Sequence, residues 1–436
     1  MGADNPLEPG LRSLSDEHLS SLVDYERGRV HASVYTDEDV FAEEMRRIFS
    51  RCWVYLGHES EIALPGDYKT TYIGQIPVII SRTEDGRVHG VVNRCVHRGT
   101  TVCQMERGNA SYFRCEYHGW TYRNSGELVG ITQKSGYAAE ELDGIPESLD
   151  LIPRLESYRG LIFGCFDPRA QPLQDFLGVT TRYIDDWMDA SPTGEIVVTG
   201  GVWKHRYQAN WKIGLEGSDE RYHVDTLHKA FRVLIERKTG KPFKFQPPDL
   251  TLLRTIDAGN GHGVSEVNSD EYPRPWRESN PPEYVEALVD RLGEQRTAEV
   301  LGRWARWHTF PNAAFTTDNI RVLRPVSVHE TEVYQYHVSF PEVRGVTERI
   351  DEQRIRDHQL MYGPSGYVGP DDHEMFERIQ EGLRATAQGL TPWVWFNRGA
   401  VKSWRGEDGE VVGLDQTELS QRSIYGGWRR FMGLDQ

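Results

Sequence analysis

Two short loops, each carrying one cysteine and one histidine, constrain this chain more than any other feature of its sequence. The first reads Cys95-Val-His97-Arg-Gly-Thr and the second reads Cys115-Glu-Tyr-His118-Gly-Trp. Two thiolates and two imidazoles suit an iron–sulfur site in which one iron takes two cysteines and the other takes two histidines. The same four side chains could also hold a single zinc ion.

The order of the four side chains favours the two-iron site. Zinc sites with two cysteines and two histidines usually group the cysteines together and the histidines together along the chain. Here each loop carries one of each, so two facing loops can present both sulfurs to one iron and both imidazoles to the other. The spacing therefore predicts a Rieske [2Fe–2S] cluster held by Cys95, His97, Cys115 and His118.

Composition excludes several other classes of protein. The chain has 436 residues and a net charge of −16, which argues against a nucleic-acid or anionic-membrane partner. Its five cysteines are too few for a disulfide framework in a chain of this length. We find neither a signal peptide at the N-terminus nor an apolar run long enough to span a membrane, so we predict a soluble, cytoplasmic protein.

Hydrophobic periodicity predicts an α+β chain of two domains. Short strands separated by turn residues indicate a small all-β domain over 52–168, inserted into a larger domain formed by 1–51 and 169–436, in which helices flank an antiparallel sheet. The predicted helices cover 37–49, 173–188, 282–307, 350–358 and 373–382, and an aromatic tail from Tyr425 docks on the core. Strands are predicted over 52–56, 68–72, 77–81, 88–92, 197–208, 309–325 and 332–340, with long loops within 241–283.

A second cluster of metal-binding residue types follows Glu216. His223 and His228 are five residues apart, which on a regular helix separates them by about 140°. A helix bent or widened after His223 would let the two rings converge on one ion. A third ligand would come from Asp371 or Asp372, which open a predicted helix after a proline. Two histidines and one carboxylate form the facial triad of non-heme Fe(II) oxygenases, with open positions for O2 and substrate.

Together these motifs resemble one known family. The α subunit of Rieske non-heme iron aromatic-ring-hydroxylating oxygenases is similar to this chain from about Tyr35 to the C-terminus. The motifs that carry the resemblance are Cys95-x-His97-Arg98, Cys115-x2-His118-Gly-Trp, Asn210-Trp-Lys, Tyr222-His223-x4-His228 and Asp371-Asp372. Within the family, residues 58–62, 93–101 and 191–195 most resemble the enzymes that act on aromatic acids such as benzoate and anthranilate.

The resemblance implies roles for individual residues. Cys95 and Cys115 would hold one iron of the cluster and His97 and His118 the other, while His223, His228 and Asp372 would hold the mononuclear iron. Glu220 stands where the family commonly has the aspartate that bridges this iron site to the cluster histidine of a neighbouring subunit. Asp219 is the alternative bridge. The implied substrate pocket comprises Leu215, Val224, Leu227, Phe315, Tyr362, Val368 and Phe376, with Arg321 or Arg324 available for a substrate carboxylate.

The implied function is that of the terminal oxygenase of a multicomponent dioxygenase. It would use O2 and NAD(P)H-derived electrons, supplied by a flavin and iron–sulfur reductase with or without a ferredoxin, to convert an aromatic carboxylate to a cis-dihydrodiol. The α chains would form a homotrimer, with or without a small β subunit. Three alternatives remain open on the sequence: a Rieske monooxygenase that hydroxylates or demethylates an aromatic acid, an electron-transfer Rieske protein, and a structural zinc protein.

Overall fold

A computed structural model describes residues 13–198, 200–244, 252–267, 275–414 and 417–434 of the chain. It divides into two compact units, one formed by Phe49–Leu173 and the other by Met1–Ile48 with Gln174–Gln436. The all-β domain is predicted over 52–168, a range that lies within the smaller unit. Of the loops predicted within 241–283, residues 245–251 and 268–274 lie outside the described residues.

The strands, in chain order, are β1 (Val23–Asp24), β2 (Arg29–His31), β3 (Val54–His58), β4 (Asp67–Ile73), β5 (Ile76–Arg82), β6 (Val88–Val92), β7 (Arg107–Asn109), β8 (Tyr112–Arg114), β9 (Thr121–Arg123), β10 (Leu128–Gly130), β11 (Arg154–Tyr158), β12 (Leu161–Cys165), β13 (Val202–Tyr207), β14 (Leu253–Gly259), β15 (His262–Val267), β16 (Trp304–Thr309), β17 (Ala313–Thr316), β18 (Asn319–Ser327), β19 (Glu330–His337), β20 (Trp393–Trp395), β21 (Ser403–Arg405) and β22 (Val411–Leu414).

The α-helices, in the same order, are α1 (Asp16–Ser21), α2 (Ser33–Thr36), α3 (Glu38–Arg47), α4 (Leu173–Leu177), α5 (Thr180–Asp189), α6 (Trp211–Asp219), α7 (Val224–Leu227), α8 (Lys229–Thr239), α9 (Pro282–Leu292), α10 (Glu294–Gly302), α11 (Glu348–Tyr362), α12 (Gly369–Leu383) and α13 (Leu419–Phe431). The described helices include none that is both long enough and apolar enough to cross a membrane.

The unit Phe49–Leu173 is built from three antiparallel sheets. Their strand orders are β6-β5-β4-β7, β11-β12-β3 and β10-β9-β8. Apolar side chains from β4, β5, β6, β8 and β9 pack together with Cys95 and Cys115 in one core, which includes Ile79, Val91, Phe113, Trp120 and Tyr122. The predicted small all-β domain is confirmed.

The larger unit is organised around a nine-stranded antiparallel sheet. Its strand order is β13-β19-β18-β17-β16-β15-β14-β22-β21. Helix α6 packs on β15 to β18, and α13, which contains the predicted docking tail, packs on β14 and β15. The predicted antiparallel sheet flanked by helices is therefore confirmed, and it places α6 above the middle of the sheet.

Helix α3 begins at a side-chain cap and buries one apolar face, and both features can be traced to its sequence. The Asp37 side chain accepts hydrogen bonds from the backbone N–H groups of Asp39 at 2.8 Å and Val40 at 3.2 Å, which satisfies two donors at the helix start. Val40 and Phe41 are buried on the inner face of the helix. The helix predicted over 37–49 is confirmed.

Three predicted elements were wrong in extent. The helix predicted over 282–307 is α9 and α10, divided at Gly293 with φ of +80°, followed by strand β16. The helix predicted over 173–188 is interrupted at Gly178, where φ is +49°, a conformation that glycine adopts readily. The strand predicted over 309–325 contains the turns that separate β16, β17 and β18.

Candidate functional site

The two loops of the smaller unit share one backbone arrangement. The N–H of Cys95 donates to the carbonyl of Thr100, and the N–H of Cys115 donates to the carbonyl of Trp120, both at 2.8 Å. In each loop the glycine four residues after the cysteine donates back to the cysteine carbonyl at 2.9 Å. These glycines have φ of +79° and +72°, which favours glycine at both turns. Each loop thus presents its cysteine from an equivalent tight turn.

The four side chains fit a two-iron cluster. Cys95 and Cys115 are each 2% exposed, whereas His97 and His118 are half-buried and their ring centroids lie 4.6 Å apart. Nδ1 of His97 is buried and has no hydrogen-bond partner among the described residues, although its ring is held in place by stacking on Trp120 at 4.6 Å. A buried nitrogen without a partner is the arrangement that a metal ligand requires.

Tyr122 adds a polar contact to one sulfur. Its hydroxyl lies 3.1 Å from Sγ of Cys95 and accepts a hydrogen bond from the N–H of Val96 at 3.3 Å. Because the hydroxyl oxygen accepts from the backbone, its proton is available for the sulfur. Burial and the Cys95 side chain raise the pKa of Tyr122, so the hydroxyl keeps its proton at neutral pH.

In the larger unit, a break between two helices brings His223 and His228 together. The short helix α7 runs between them and ends at His228, where φ is −86° and ψ is +41°, and α8 begins at the next residue. This departure from regular helix allows the two rings to approach, with centroids 5.3 Å apart. The predicted bend between the two histidines is confirmed.

Asp372, in the first turn of α12, faces both rings. Its Oδ1 lies 3.5 Å from Nε2 of His223 and 3.3 Å from Nε2 of His228, and one ligand atom from each residue lies within 4.8 Å of the others. Metal–ligand bonds of about 2.1 Å at right angles separate ligand atoms by about 3 Å, so the set fits one ion. Asp371 lies at the edge, with its side chain 41% exposed and its Oδ2 3.6 Å from Nδ1 of His228.

The protein alone keeps a proton on His223 at neutral pH. Burial lowers the pKa of His223, but hydrogen bonds to Asp372 and Glu220 outweigh it and raise the pKa to about 9. Burial acts to raise the pKa of the Asp372 carboxyl, but the two histidines hold it well below its usual range. A site that retains a proton between two imidazoles and a carboxylate offers the charge and donor set that a divalent cation needs in place of that proton.

Glu220 orients the first histidine. Its Oε1 accepts from the backbone N–H of His223 at 2.9 Å, and its Oε2 lies 2.6 Å from Nδ1 of the same residue. Because Nδ1–H is used in this bond, Nε2 is the nitrogen that faces Asp372.

Asp219 faces a different partner. Its Oδ2 lies 2.5 Å from Nδ1 of His308 on β16, and the other ring nitrogen, Nε2, lies 2.9 Å from the carbonyl of Gly261. Asp219 is 2% exposed, and burial raises the pKa of its carboxyl group. The two adjacent acids therefore bind two different histidines. Of these two acids, Glu220 is the one that contacts His223.

A cavity lined by His223, His228 and Asp372 includes four of the predicted pocket residues. Val224, Tyr362 and Val368 line it, as does Arg321. Among the described residues, the lining does not include Leu215, Leu227, Phe315 or Phe376. Phe315 stacks on Trp307 instead, with centroids 5.4 Å apart, because neighbouring residues of β17 point to opposite faces of the sheet.

The remaining predicted pocket residues take other places in the fold. Leu215 is fully buried on α6, while Leu227 is half-buried. The Phe376 ring packs against Gly217, where an added Cβ would lie 2.9 Å from it. Arg324 lies on the opposite face of β18 from Arg321 and pairs with Glu332 at 2.7 Å.

Sequence reasoning missed Arg306, which also lines the cavity. Arg306 falls within the helix predicted over 282–307, whereas the structure places it on β16. The alternation of Arg306 and His308 with apolar neighbours is the signal that could have revealed a strand there.

Comparison with known proteins agrees with this geometry. Residues 52–151 match the family described as the Rieske [2Fe-2S] domain, and residues 195–423 match the catalytic domain of ring hydroxylating alpha subunits. The large subunit of 2-halobenzoate 1,2-dioxygenase from Burkholderia cepacia is 32% identical over 387 residues, covering 87% of this chain and 82% of that protein. The alpha subunit of benzene 1,2-dioxygenase from Pseudomonas putida is 30% identical over 443 residues, covering 97% and 95%.

Among solved structures, naphthalene 1,2-dioxygenase with indole in its active site aligns with a TM-score of 0.81 and 26% identity, covering 94% of this chain and 93% of that one. The chain belongs to the ring-hydroxylating α subunits of the Rieske oxygenases. Its cofactors are accordingly a [2Fe–2S] cluster and a mononuclear iron. The family assignment confirms the predicted oxygenase class and sets aside the zinc-protein and electron-carrier alternatives.

Proposed function

We propose that this chain is the terminal oxygenase of a multicomponent dioxygenase in which His223, His228 and Asp372 hold the mononuclear iron. The convergence of these three side chains, two from the α7–α8 break and one from α12, carries the proposal. We assign the [2Fe–2S] cluster to Cys95, His97, Cys115 and His118 on the basis of their matching loops. When bound, the cluster supplies single electrons and the mononuclear iron supplies O2 activation.

The surrounding residues prepare the site for this chemistry. Glu220 fixes the tautomer of His223 by accepting a hydrogen bond from its Nδ1–H, and the same contact increases the basicity of Nε2. Asp372 is 7% exposed, so its negative charge acts in an environment that excludes most water. Val224, Tyr362 and Val368 supply the apolar wall that an aromatic ring needs.

We assign the electron-transfer bridge to Glu220 rather than Asp219. Glu220 binds His223 directly, whereas the Asp219 carboxylate is committed to His308. The bridge requires a cluster histidine from a neighbouring subunit, so we propose a ring of α chains, most simply a trimer, with or without a small β subunit. Its electrons come from a cytoplasmic NAD(P)H-dependent reductase, with or without a ferredoxin.

An aromatic carboxylate is the substrate we propose, with a cis-dihydrodiol as product. The two relatives act on a halobenzoate in one case and on benzene in the other, so relatedness alone does not choose between acid and hydrocarbon. Arg321 favours the acid, because its guanidinium lines the same cavity as His223 and Asp372 and suits a carboxylate bidentately.

The test is turnover by the purified holoenzyme with its reductase. We expect about three irons and two acid-labile sulfides per chain, and coupled consumption of NADH and O2 with benzoate-type substrates. With 18O2, both labelled atoms should appear in one diol product. Incorporation of a single labelled atom would identify a monooxygenase instead, and the absence of labile sulfide would overturn the cluster assignment.

A further inference from the structure

Three strands form a polar floor beneath the cavity. The register pairs Thr316 with Asn319 and Ala314 with Arg321 across β17 and β18, and pairs His308 with Ala314 across β16 and β17. Alternate residues of a strand share a face, so Arg306 lies on the same face as His308. Arg306, Ala314, Thr316, Asn319 and Arg321 all line the cavity that contains His223 and Asp372.

Arg321 is a buried cation held at a fixed angle. Its side chain is 9% exposed, and its Nε donates to Oε1 of Gln335 at 3.2 Å. Gln335 in turn donates to Oδ1 of Asn319 at 2.7 Å. Within the described part of the chain, Arg321 forms no ion pair with a carboxylate. The guanidinium is thus positioned by a neutral amide rather than by a direct ion pair.

Arg306 is a second, half-buried cation on the same floor. Its Nε is buried and lacks a hydrogen-bond partner among the described residues, and its guanidinium lies 4.9 Å from the ring centroid of Trp304. The Asp219 carboxylate, which binds His308, is close enough that the charges of Arg306 and Arg321 both act to lower its pKa. Two guanidinium groups that share the charge of the Asp219 carboxylate leave an excess of positive charge on the cavity floor, which favours an anionic ligand.

The spacing of the strands suits a single carboxylate between the two arginines. Neighbouring strands lie about 4.8 Å apart, so β16 and β18, which flank β17, are separated by about 10 Å. The register places Arg321 in line with Ala314 and His308, and Arg306 lies two residues further along β16, so the two arginines face each other diagonally across the gap. Ala314 on the intervening strand leaves room above it. Arginine side chains are long enough to reach inward from both sides of this gap and hold a carboxylate by its two oxygens.

We infer that Arg306 and Arg321 form a carboxylate clamp on the floor of the cavity, and that this clamp selects arenes bearing a ring carboxylate over neutral arenes. The clamp deepens the proposed function and rests on it, since the cavity is an active site only if the adjacent residues hold iron. A neutral arene would leave both guanidinium groups desolvated and unpaired, which is the situation in which a polar site rejects an analogue most strongly.

Binding without turnover tests the clamp directly. The holoenzyme is titrated anaerobically in a calorimeter with benzoate and with benzamide, which has the same shape without the charge. We expect wild type to bind benzoate at least about tenfold more tightly, and Arg306→Gln and Arg321→Gln each to weaken benzoate binding by about 10- to 100-fold while benzamide changes less than about threefold. Arg324→Gln, from the opposite face of β18, is the matched control and should bind both ligands as wild type does.

The outcomes separate the clamp from the oxygenase itself. Unchanged benzoate affinity in Arg306→Gln would overturn the clamp, as would an equal loss of benzamide affinity, which indicates a collapsed cavity. Iron content and O2 uptake with neutral arenes are measured on the same samples. Oxidation of neutral arenes by a variant that has lost benzoate affinity supports the clamp. If wild type binds benzoate but oxygenates no arene, the proposed function is overturned and the clamp still stands.

Discussion

Glu220 and His223 are joined at two points, once through the backbone and once through the side chain. Oε1 of Glu220 accepts a hydrogen bond from the backbone N–H of His223 at 2.9 Å, and Oε2 lies 2.6 Å from Nδ1 of the His223 ring. This double attachment fixes both the position of the residue and the rotation of its ring, so a change at Glu220 should act on the metal through the histidine.

We expect Glu220→Gln to weaken iron binding by about 10- to 100-fold, because an amide can replace only one of the two acceptors. Iron affinity is measured by competition with a chelator, and electron transfer is followed as oxidation of the reduced cluster in a single turnover. Glu220→Asp is the control, since it keeps both acceptors on a side chain one methylene shorter. Wild-type iron affinity in Glu220→Ala would contradict the assigned role.

Asp372 and Asp371 give a second, sharper pair of variants. Asp372 faces both histidines, whereas Asp371 is 41% exposed at the edge of the site. Asp372→Asn should lower the iron content from about three to about two per chain, because the cluster ligands lie in the other unit. Asp371→Asn should keep about three irons. Elemental analysis decides between them, and loss of iron in Asp371→Asn would move the ligand assignment to that residue.

Tyr122 should tune the cluster. Its hydroxyl lies 3.1 Å from Sγ of Cys95, and a hydrogen bond to a ligand sulfur stabilises the reduced, more negative state. Tyr122→Phe is expected to lower the midpoint potential by roughly 60 mV, the equivalent of about 1.4 kcal/mol for one electron. A redox titration monitored by electron paramagnetic resonance measures the shift. An unchanged potential would show that the hydroxyl does not donate to the sulfur.

The parts of the molecule that could be predicted from sequence are the local ones. The loops at Cys95 and Cys115 are each closed by their own backbone hydrogen bonds, so their spacing alone carried the signal. Helix α3 was equally readable, because Asp37 caps it from the adjacent position. The bend at His228 followed from a simple periodicity argument, since two rings five residues apart cannot share a face of a regular helix.

Long-range pairing hid the rest of the site. Arg306 reaches the cavity only through the register of β16, β17 and β18, and a predicted helix over 282–307 concealed that strand. The sequence also did not show that Asp219 and Glu220 bind different histidines. The partner of Asp219 is His308, which is 89 residues away in the chain. The family resemblance pointed to Glu220 as the bridge with Asp219 as the alternative, but nothing in the sequence pointed to His308 as the partner of Asp219.

Glu216 gives a prediction about stability and pH. Its carboxylate accepts a hydrogen bond from Tyr35 at 2.9 Å and another from Tyr425. Burial raises the pKa of Glu216 to about 7 from its ordinary 4.5, against the effect of the two tyrosines. Between these two values the folded protein holds a proton that the unfolded chain has released, so the group's contribution to stability falls as pH rises from 4.5 to 7. The full loss is at most about 3 kcal/mol.

Replacing the carboxyl with an amide should remove this dependence. We expect the melting temperature of Glu216→Gln to differ less between roughly pH 5.5 and pH 7.5 than the melting temperature of wild type does. Tyr35→Phe should steepen the dependence, because it removes a donor that favours the ionised form. Calorimetric melting of the holoenzyme at both pH values provides the comparison. Parallel melting curves for wild type and Glu216→Gln would place the proton on another group, since removing the Glu216 carboxyl would then leave the pH dependence unchanged.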